Sequence, residues 1–276
     1  MRFVSVGHLC RDIVSSGYML GGSAAYAGVT ARNLGAKTEL ITSFAPDFDP
    51  NLPDDIDIRR VHSQRTTTFE NRYDIHGRRT QRLHSRAALL TKKAVPTDIG
   101  KPDILYLCPL ADEVKPCALE AVCGKLTGAA PQGWLRAWDE EGNVRAKRME
   151  HAERILPQLD ALILSEEDIA PFPDELERFR SLSPLTVLTQ GKRGAVLYEK
   201  GKAESFPAYQ AQERDPTGAG DVFAAAFLIC YAKTGKAGEA VDFANCAASL
   251  AVETVGPMGA PTKEQIRERR KCRTYA

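Results

Sequence analysis

A glycine-rich segment in the last quarter of the chain carries residue types suited to binding and transferring a phosphoryl group. The segment DPTGAGD spans residues 215–221 and runs directly into an apolar stretch that reads as a helix. Glycines at 218 and 220 let backbone N–H groups converge, and the helix N-terminus adds positive partial charge. Gly218, Ala219 and Gly220 would form an anion hole, and Asp221 could accept a proton from an attacking hydroxyl. The alternative is a simple turn whose aspartate is an ordinary N-terminal carboxylate of the helix.

The elements that must position this segment alternate between strands and helices. Residues 2–7 and 37–43 read as buried strands, and the Ala-rich stretch 22–34 reads as a helix that meets Gly35. Strand, helix and strand within about forty residues predict a parallel βαβ unit. Further strands are predicted at 103–108, 133–137, 162–165 and 185–189, with a hairpin at 195–206. Further helices are predicted at 112–124, 145–157, 219–234, 236–254 and 262–271.

The segment 46–86 has a different texture, because Pro and Asp cluster at its start and polar residues alternate with apolar or β-branched ones. Such alternation is typical of strands with one solvated face. The alternating runs lie at 56–61, 66–73 and 79–83, with a turn at His76 and Gly77 between the last two. We therefore predict a small antiparallel sheet at 46–86 that serves as a lid on an α/β core of residues 1–45 and 87–276.

The bulk composition excludes several classes of protein. The chain has 276 residues, 43% of them hydrophobic, which is enough for a substantial core. The 37 Lys and Arg residues balance the 36 Asp and Glu residues, so no charge excess favours a nucleic-acid or membrane partner. The seven cysteines are irregularly spaced without a Cys-x-x-Cys pair, which favours free thiols in a reducing compartment. With a strand at its start and no apolar run of about 20 residues, we expect a cytoplasmic protein without a signal peptide.

Four segments, in order, resemble the signatures of the ribokinase-like, or PfkB, carbohydrate kinases. Residues 215–223 resemble the family's C-terminal signature, and GGSAAYAG at 21–28 resembles its N-terminal one. The strand and glycine turn at 186–195 and the closing helix and loop at 241–261 are also similar. The resemblance implies a three-layer α/β/α sandwich with a mainly parallel central sheet and a small β-sheet lid. It also implies an ATP-dependent, Mg²⁺-using kinase that phosphorylates a hydroxyl of a small polyol or sugar.

The resemblance assigns roles to the residues of the glycine-rich segment and its surroundings. Asp221 becomes the general base, and residues 218–220 become the anion hole. Asp215 and Thr217 match positions that help to hold a monovalent cation such as potassium, with capping of the loop as the equal alternative. Asp168 keeps a carboxylate in the family's Asn-x-x-Glu element and could organise Mg²⁺ through water.

The nucleotide-binding wall follows from two further matches. Thr189, Gly191 and Gly194 match the ATP-binding wall of the family, although both glycines could equally serve a hairpin. Asn245 lies on a predicted helix that resembles the one beside the adenine site. The alternative for Asn245 is a solvent-facing position on that helix.

The acceptor pocket is implied by the start of the chain. Asp12 matches a family aspartate that binds substrate hydroxyls, and a carboxylate accepts two such hydrogen bonds readily. Gly22 and Ser23 would line the same pocket. The alternative is an N-cap aspartate and an ordinary helix start.

Some positions depart from the pattern of the family. Tyr26 stands where many members carry Asn and would add a stacking or apolar wall, which keeps nucleosides among the candidate acceptors. Arg136 lies in GWLRAWD at 133–139, a segment similar to a subgroup that looks like the plant myo-inositol kinases. Arg136 could face the transferred phosphate as a forked donor, or could be a strand-end surface arginine.

Two further questions stay open in the sequence. Departures at Tyr26, Ala45, Pro46 and Ser165 allow a non-catalytic nucleotide or sugar sensor as the rival hypothesis. For assembly, one expectation is a homodimer through the exposed edges of the lid strands. The alternative is a monomer, because the Arg-rich run at 78–82 would disfavour pairing of these strands.

Overall fold

The computed structural model describes residues 1–73, 79–96 and 98–272. The predicted turn at His76 and Gly77 lies outside these residues. Within the described residues the seven cysteines form no disulfide bond, in line with the irregular spacing. In the described part of the chain, none of the helices combines the length and the apolar character needed to cross a membrane.

Strands and helices alternate along most of the chain. In chain order the strands are β1 (Arg2–Val6), β2 (Cys10–Val14), β3 (Gly17–Gly21), β4 (Lys37–Phe44), β5 (Ile56–His62), β6 (Thr67–Tyr73), β7 (Arg79–Ser85), β8 (Ile104–Leu107), β9 (Leu126–Ala129), β10 (Arg136–Trp138), β11 (Val144–Ala146), β12 (Ala161–Ser165), β13 (Leu185–Thr189), β14 (Ala195–Glu199) and β15 (Lys202–Phe206). The helices are α1 (Ser23–Asn33), α2 (Ala152–Ile155), α3 (Glu166–Ile169), α4 (Glu175–Leu182), α5 (Ala219–Thr234), α6 (Ala237–Ala251) and α7 (Lys263–Cys272).

A nine-stranded sheet forms the centre of the described structure, in the order β15-β14-β13-β12-β9-β8-β1-β4-β5. The neighbouring strands from β13 to β5 are parallel, and β14 and β15 extend this sheet as an antiparallel hairpin. The predicted βαβ unit is confirmed, because β1 and β4 pair in parallel and α1 lies between them in the chain. The mainly parallel central sheet is therefore confirmed as well.

Hydrophobic side chains cover both faces of this sheet, because successive residues of a strand point to opposite sides. Phe3 packs with α1, α5 and α6 on one face, whereas Val4 packs on the other face with Phe179 of α4. Leu40 and Ile41 on β4 divide in the same way. Helices and loops on both faces of the sheet give the three-layer α/β/α sandwich that the resemblance implies.

A second sheet, with the order β3-β2-β6-β7, is built from two hairpins. This confirms the small sheet predicted for the runs at 66–73 and 79–83. The hairpin of β2 and β3 is an addition to the prediction, and β2 pairs in parallel with β6. The segment between β1 and α1 therefore contributes half of the strands of this sheet.

The prediction that residues 56–61 belong to the small sheet is wrong. β5 pairs in parallel with β4 and forms an edge of the large sheet, where Ile56 is buried against the α1 side of the core. An alternating strand with one wet face fits the edge of either sheet, so the pattern alone does not select its partner. The division into a core of 1–45 and 87–276 and a lid of 46–86 stays a prediction.

The outer edge of β7 is partly covered within the chain. Leu83 donates its N–H to the carbonyl of Gly142 at 2.8 Å, and Arg82 forms an antiparallel bridge with Asn143. A homodimer through the lid strands stays a prediction. It would have to use another edge, such as that of β3.

Three predicted elements between residues 112 and 157 are wrong. The predicted helix at 112–124 contains a 3₁₀ turn at Pro116–Ala118, and the predicted strand at 133–137 is a 3₁₀ turn followed by β10. The predicted helix at 145–157 is replaced by β11 and the short α2. Pro116 explains the first of these differences, because proline removes a backbone donor and disfavours helical geometry in the preceding residue.

Strand β9 is a further addition to the prediction, and it lies between β8 and β12. It has four residues, and its Gly128 weakens the strand signal in the sequence. A Cβ on Gly128 would lie 2.5 Å from Cδ2 of Leu228, so glycine allows α5 to pack closely on this strand. The other predicted elements are confirmed, namely β1, β4, β8, β12, β13, the β14–β15 hairpin and helices α1, α5, α6 and α7.

Candidate active site

A cleft of about 2510 Å³ runs from the small sheet to α7 and passes the carboxyl ends of β12 and β13. Ligands of parallel α/β sheets bind at such strand ends. The sequence-predicted site residues line this cleft with the exception of Asp215. We call one portion the small-sheet half, lined by Cys10, Asp12, Phe69, Asn71, Gln81, Leu110 and Arg136. We call the other the hairpin half, lined by Thr189, Gly191, Gly194, Asn245 and residues 208–214.

The glycine-rich segment lies in this cleft at the first turn of α5. Gly218 precedes the helix with a φ of 77°, a left-handed conformation that favours glycine. The N–H groups of Asp221 and Val222 donate to the carbonyl of Gly218 at 3.0 and 2.9 Å, and that of Ala219 donates to Pro216 at 3.2 Å. Gly218, Ala219 and Gly220 line the cleft together.

Asp221 combines access to the cleft with a carboxyl group that is deeply recessed. Burial raises the pKa of Asp221 to about 7, and the nearby charge of Asp168 acts in the same direction. A hydrogen bond from Ser23 and the positive charge of Arg136 lower it. A carboxyl group with a pKa near neutrality can accept a proton efficiently around pH 7.

Tyr26 brings the two glycine signatures into contact. Its ring packs against Gly218, where a Cβ would lie 2.2 Å from Cδ1 of the tyrosine. Tyr26 as a whole residue is 4% exposed, and its hydroxyl has no hydrogen-bond partner among the described residues. Burial and the charges of Asp215, Asp12 and Asp221 raise the pKa of Tyr26, so the phenol stays neutral. Tyr26 therefore places an aromatic ring against Gly218 in the lining of the cleft.

Asp12 lies on β2, opposite the start of α1. The thiol of Cys10 donates to its Oδ1 at 3.6 Å, and a Cβ on Gly21 would lie 2.0 Å from its Oδ2. The glycine on β3 thus makes room for the carboxylate. Gly22 has a φ of 103°, and Ser23 begins α1 beside Asp221. Asp12, Gly22 and Ser23 line the cleft together, which the resemblance implies for an acceptor pocket.

Arg136 points into the cleft from the first position of β10. Its Nη1 donates to the carbonyl of Leu110 at 3.4 Å, and its guanidinium lies 5.9 Å from the ring centre of Phe69. Burial raises the pKa values of both Asp221 and Cys10, and the positive charge of Arg136 opposes this rise. A guanidinium within electrostatic reach of Asp221 can bind an anionic group there.

The turn between β13 and β14 forms one wall of the hairpin half. Gly191 and Gly194 have φ angles of 55° and 95°, and a Cβ on Gly194 would lie 2.0 Å from the carbonyl oxygen of Phe206. The hairpin interpretation of both glycines is therefore confirmed geometrically, and both also line the cleft. Thr189 ends β13 and donates its hydroxyl to Leu164 at 3.3 Å.

Three predicted residues make structural hydrogen bonds at the edge of the cleft. Asn245 donates from Nδ2 to the carbonyls of Phe206 and Pro207 at 3.2 Å each, which ties α6 to the chain that leads into the hairpin half. Asp215 accepts the N–H of Thr217 at 2.9 Å, which is the capping alternative for this residue. Asp168 accepts the N–H of Ser165 at 3.0 Å in a capping box that begins α3.

Metal binding at this cleft would rely on few protein ligands. The described residues contain no group of three or more His, Cys, Asp or Glu side chains placed to hold a metal ion. Asp168 nevertheless presents a carboxylate to the cleft. A lone carboxylate fits Mg²⁺, which keeps water and phosphate oxygens as ligands.

Residues of the small sheet that the sequence interpretation missed also line the cleft. Asn71 on β6 and Gln81 on β7 face each other, and Nε2 of Gln81 donates to Oδ1 of Asn71 at 2.9 Å. Phe69 lies two residues before Asn71, on the same face of β6. The period of two along β6 could have grouped Phe69 with Asn71, but only the pairing of β6 with β7 adds Gln81.

Comparison with known proteins gives a consistent result. The sequence model of the pfkB family carbohydrate kinases matches residues 99–264, more than half of the chain. The chain is 41% identical over 83 residues to the ribokinase of Bacillus subtilis (strain 168), across 29% of this chain and 28% of that protein. It is 23% identical over 293 aligned positions to the inositol 3-kinase of Arabidopsis thaliana, across 98% of this chain and 81% of that protein.

Among solved structures, the chain is similar to a pyrophosphate-dependent kinase of the ribokinase family determined as a sulfate complex. The TM-score is 0.78 at 23% identity, and the alignment covers 96% of this chain and 99% of the other. At this level of identity the likeness concerns the fold.

Proposed function

Since the chain belongs to the pfkB family of carbohydrate kinases, we propose that it transfers the γ-phosphoryl group of ATP to a hydroxyl of a small polyol or sugar, with Asp221 as the base. Membership of this family makes the chain a phosphotransferase with a hydroxyl acceptor. The observation that carries the proposal is the recessed carboxyl of Asp221 at the first turn of α5, with a pKa of about 7. A turn whose aspartate only capped a helix would have no need of such a pKa.

In the proposed reaction the acceptor occupies the small-sheet half. Asp12 accepts hydrogen bonds from hydroxyls of the acceptor, and Ser23 orients the carboxylate of Asp221. Asn71 and Gln81 supply amide groups from the small sheet, which acts as the lid. Polar groups of this kind suit a polyol or sugar, and the ring of Tyr26 keeps a nucleoside as the second candidate.

The donor occupies the hairpin half, with its phosphates directed to residues 218–220. The acceptor oxygen attacks the γ-phosphorus in line, and its proton passes to a carboxylate oxygen of Asp221. The bond from the γ-phosphorus to the bridging oxygen breaks, and ADP leaves. Backbone N–H groups at the start of α5 and the guanidinium of Arg136 stabilise the charge on the transferred group.

Two cations belong to this proposal. Asp168 would hold Mg²⁺ through water, and bound Mg²⁺ supplies neutralisation of charge on the donor's phosphate oxygens. Asp215 and Thr217 would help to hold potassium close to the anion hole at residues 218–220. Asn245, Thr189 and the two glycines of the hairpin shape the wall against which the nucleotide lies.

The test is a panel of acceptors in an assay of product release. Inositols, pentoses, hexoses and nucleosides are offered with ATP and Mg²⁺, with and without potassium, and then with pyrophosphate as the donor. The proposal expects ADP release with a polyol or sugar. Turnover with pyrophosphate but not with ATP would overturn the choice of donor. Turnover with nucleosides but with none of the polyols or sugars would establish the second candidate. Ligand binding without turnover for any pair would favour the sensor.

A further inference from the structure

Chain segments that connect the large sheet to the small sheet meet at one buried side chain, His8. The residue follows β1 and precedes β2, and its side chain is 0% exposed. Gly22, where β3 leads into α1, approaches it so closely that a Cβ would lie 2.5 Å from its carbonyl oxygen. The imidazole itself lies outside the lining of the cleft. Its role therefore has to be sought in the connections between the sheets.

The imidazole contacts the chain at both ends of the β6–β7 hairpin, at the first residue of β6 and shortly after β7. Nε2 lies 2.9 Å from the carbonyl of Ala88, and Nδ1 lies 2.7 Å from the hydroxyl of Thr67. A carbonyl only accepts, so Nε2 carries the proton and Nδ1 accepts from Thr67. Burial lowers the pKa of His8, which fits this neutral ring. The hydroxyl of Thr67 also accepts the N–H of Ala87 at 3.0 Å, so both of its hydrogen-bonding roles are used.

The backbone of His8 binds a third segment through Glu113, which is also 0% exposed. Oε1 of Glu113 accepts the N–H of His8 at 2.9 Å, and Oε2 accepts the N–H groups of Leu110 and Ala111 at 2.9 and 2.7 Å. Leu110 lines the cleft, and its carbonyl accepts the hydrogen bond from Arg136. The carboxylate of Glu113 therefore fixes the loop that holds Arg136.

Each of these segments leads directly to a residue of the small-sheet half. Asp12 follows His8 by four residues, and Phe69 follows Thr67 by two. We propose that His8, Thr67 and Glu113 form a buried latch that positions the small-sheet half against Asp221, and with it the acceptor. These are positioning residues, since none of them lines the cleft. The assignment of the acceptor to this half rests on the proposed function.

The kinetic test uses the best acceptor of the wild-type protein and the variant Thr67→Val, which keeps the shape and removes the hydroxyl. We expect the KM for the acceptor to rise at least about tenfold while the KM for the donor stays within about twofold. Thr67→Ser should restore the wild-type KM. The matched control is Thr127→Val, because Thr127 is also buried and accepts the N–H of Gly124 at 3.1 Å away from the cleft. An unchanged acceptor KM in Thr67→Val, or an equal rise in the control, would overturn the latch.

A second measurement decides the latch even when no acceptor is turned over. Amide hydrogen exchange should be faster in β2 and β6 of Thr67→Val than in the wild type, and unchanged there in Thr127→Val. Equal exchange in these strands across the three proteins would contradict the latch. If the proposed function fails but the latch is correct, the wild-type protein shows no turnover. Thr67→Val still changes amide hydrogen exchange in the small sheet in that case.

Discussion

In the proposed reaction Asp221 is the base, and its surroundings set its proton affinity. Burial and the charge of Asp168 disfavour its ionised form, whereas Ser23 and Arg136 favour it, and the net result is a pKa of about 7. The residue is therefore poised between its two protonation states at neutral pH. Its hydrogen bond from Ser23 at the start of α1 and its own position at the start of α5 link the two glycine signatures.

The pKa of Asp221 predicts how the rate depends on pH. Only the ionised carboxylate accepts a proton, so kcat/KM of the wild-type protein should fall below a pH of about 7. The measurement is kcat/KM for the acceptor from pH 5 to 9 at saturating donor. Below the pKa of Asp221, kcat/KM should fall about tenfold for each pH unit. A rate independent of pH in this range would show that another group is the base.

The same shift predicts a change in stability when the charge is removed. The ordinary value for an aspartate is 3.8, and the folded value is about 7, so the unfolded chain releases its proton first as the pH rises. Asp221 therefore lowers the stability of the wild type progressively between these two pH values, and the loss is complete above about pH 7. We expect Asp221→Asn to be more stable than the wild type at pH 8, by roughly 1–4 kcal/mol at about 1.4 kcal/mol per pKa unit.

Urea denaturation at pH 8 and pH 4 tests this expectation. The advantage of Asp221→Asn should shrink to roughly half a kcal/mol at pH 4, where the carboxyl group is protonated in the folded chain and about 40% protonated in the unfolded chain. A variant less stable than the wild type at pH 8 would contradict the raised pKa.

At the scale of elements, the start of α5 depends on one contact between distant parts of the chain. Gly218 has the left-handed φ that the helix start requires, and its missing side chain leaves the space that the Tyr26 ring fills. The two glycine signatures are therefore packed together and cannot vary independently. This contact forms because α1 and α5 lie on the same face of the large sheet.

Gly218→Ala should destabilise the protein more than an ordinary left-handed glycine substitution does. The matched control is Gly235→Ala, since Gly235 has a φ of 65° and open space where its Cβ would lie. We expect a loss of about 1 kcal/mol in the control, from backbone strain alone. Gly218→Ala should lose a further 1–3 kcal/mol, roughly, because the methyl group overpacks the Tyr26 ring. If both variants lose the same free energy of unfolding, measured by heat or urea, the Tyr26 ring moves aside without an energetic cost.

The sequence predicts the regular βαβ elements and the cleft residues well, because both depend on local patterns. The glycines of residues 215–221 predict a turn before a helix. Apolar runs predict the strands β1, β4, β12 and β13. The errors at 56–61 and at Gln81 share one physical cause, because the local sequence of a strand does not determine which strand it pairs with. The pattern at 56–61 fits the edge of either sheet, and Gln81 joins the cleft only through its pairing with Asn71.

At the scale of the whole molecule, the cleft lies between the small sheet and the large sheet with its helices. The small sheet carries Asp12, Asn71 and Gln81, whereas Asp221 and residues 218–220 lie at the start of α5. The proposed reaction therefore requires a fixed position of the small sheet relative to α5, and the proposed latch at His8 stabilises this position. An acceptor that contacts both parts should stabilise it further.

Binding of the acceptor should therefore slow amide exchange in the small sheet. We expect stronger protection in β2, β3 and β6 when the acceptor and a donor analogue are present, and no change in the buried β8 and β9. The measurement is hydrogen exchange with and without the two ligands. Protection confined to the hairpin half would place both ligands there and contradict a lid function of the small sheet.

The most direct test of the central claim compares turnover and donor binding in the wild type and in Asp221→Asn. Removing the base should lower kcat by at least about a hundredfold, because general-base catalysis contributes on that scale. The same variant should bind ATP with the wild-type affinity, measured as an equal rise in melting temperature at equal ATP concentration. Near-normal turnover in Asp221→Asn, with the same acceptor and donor, would contradict the assignment of Asp221 as the base.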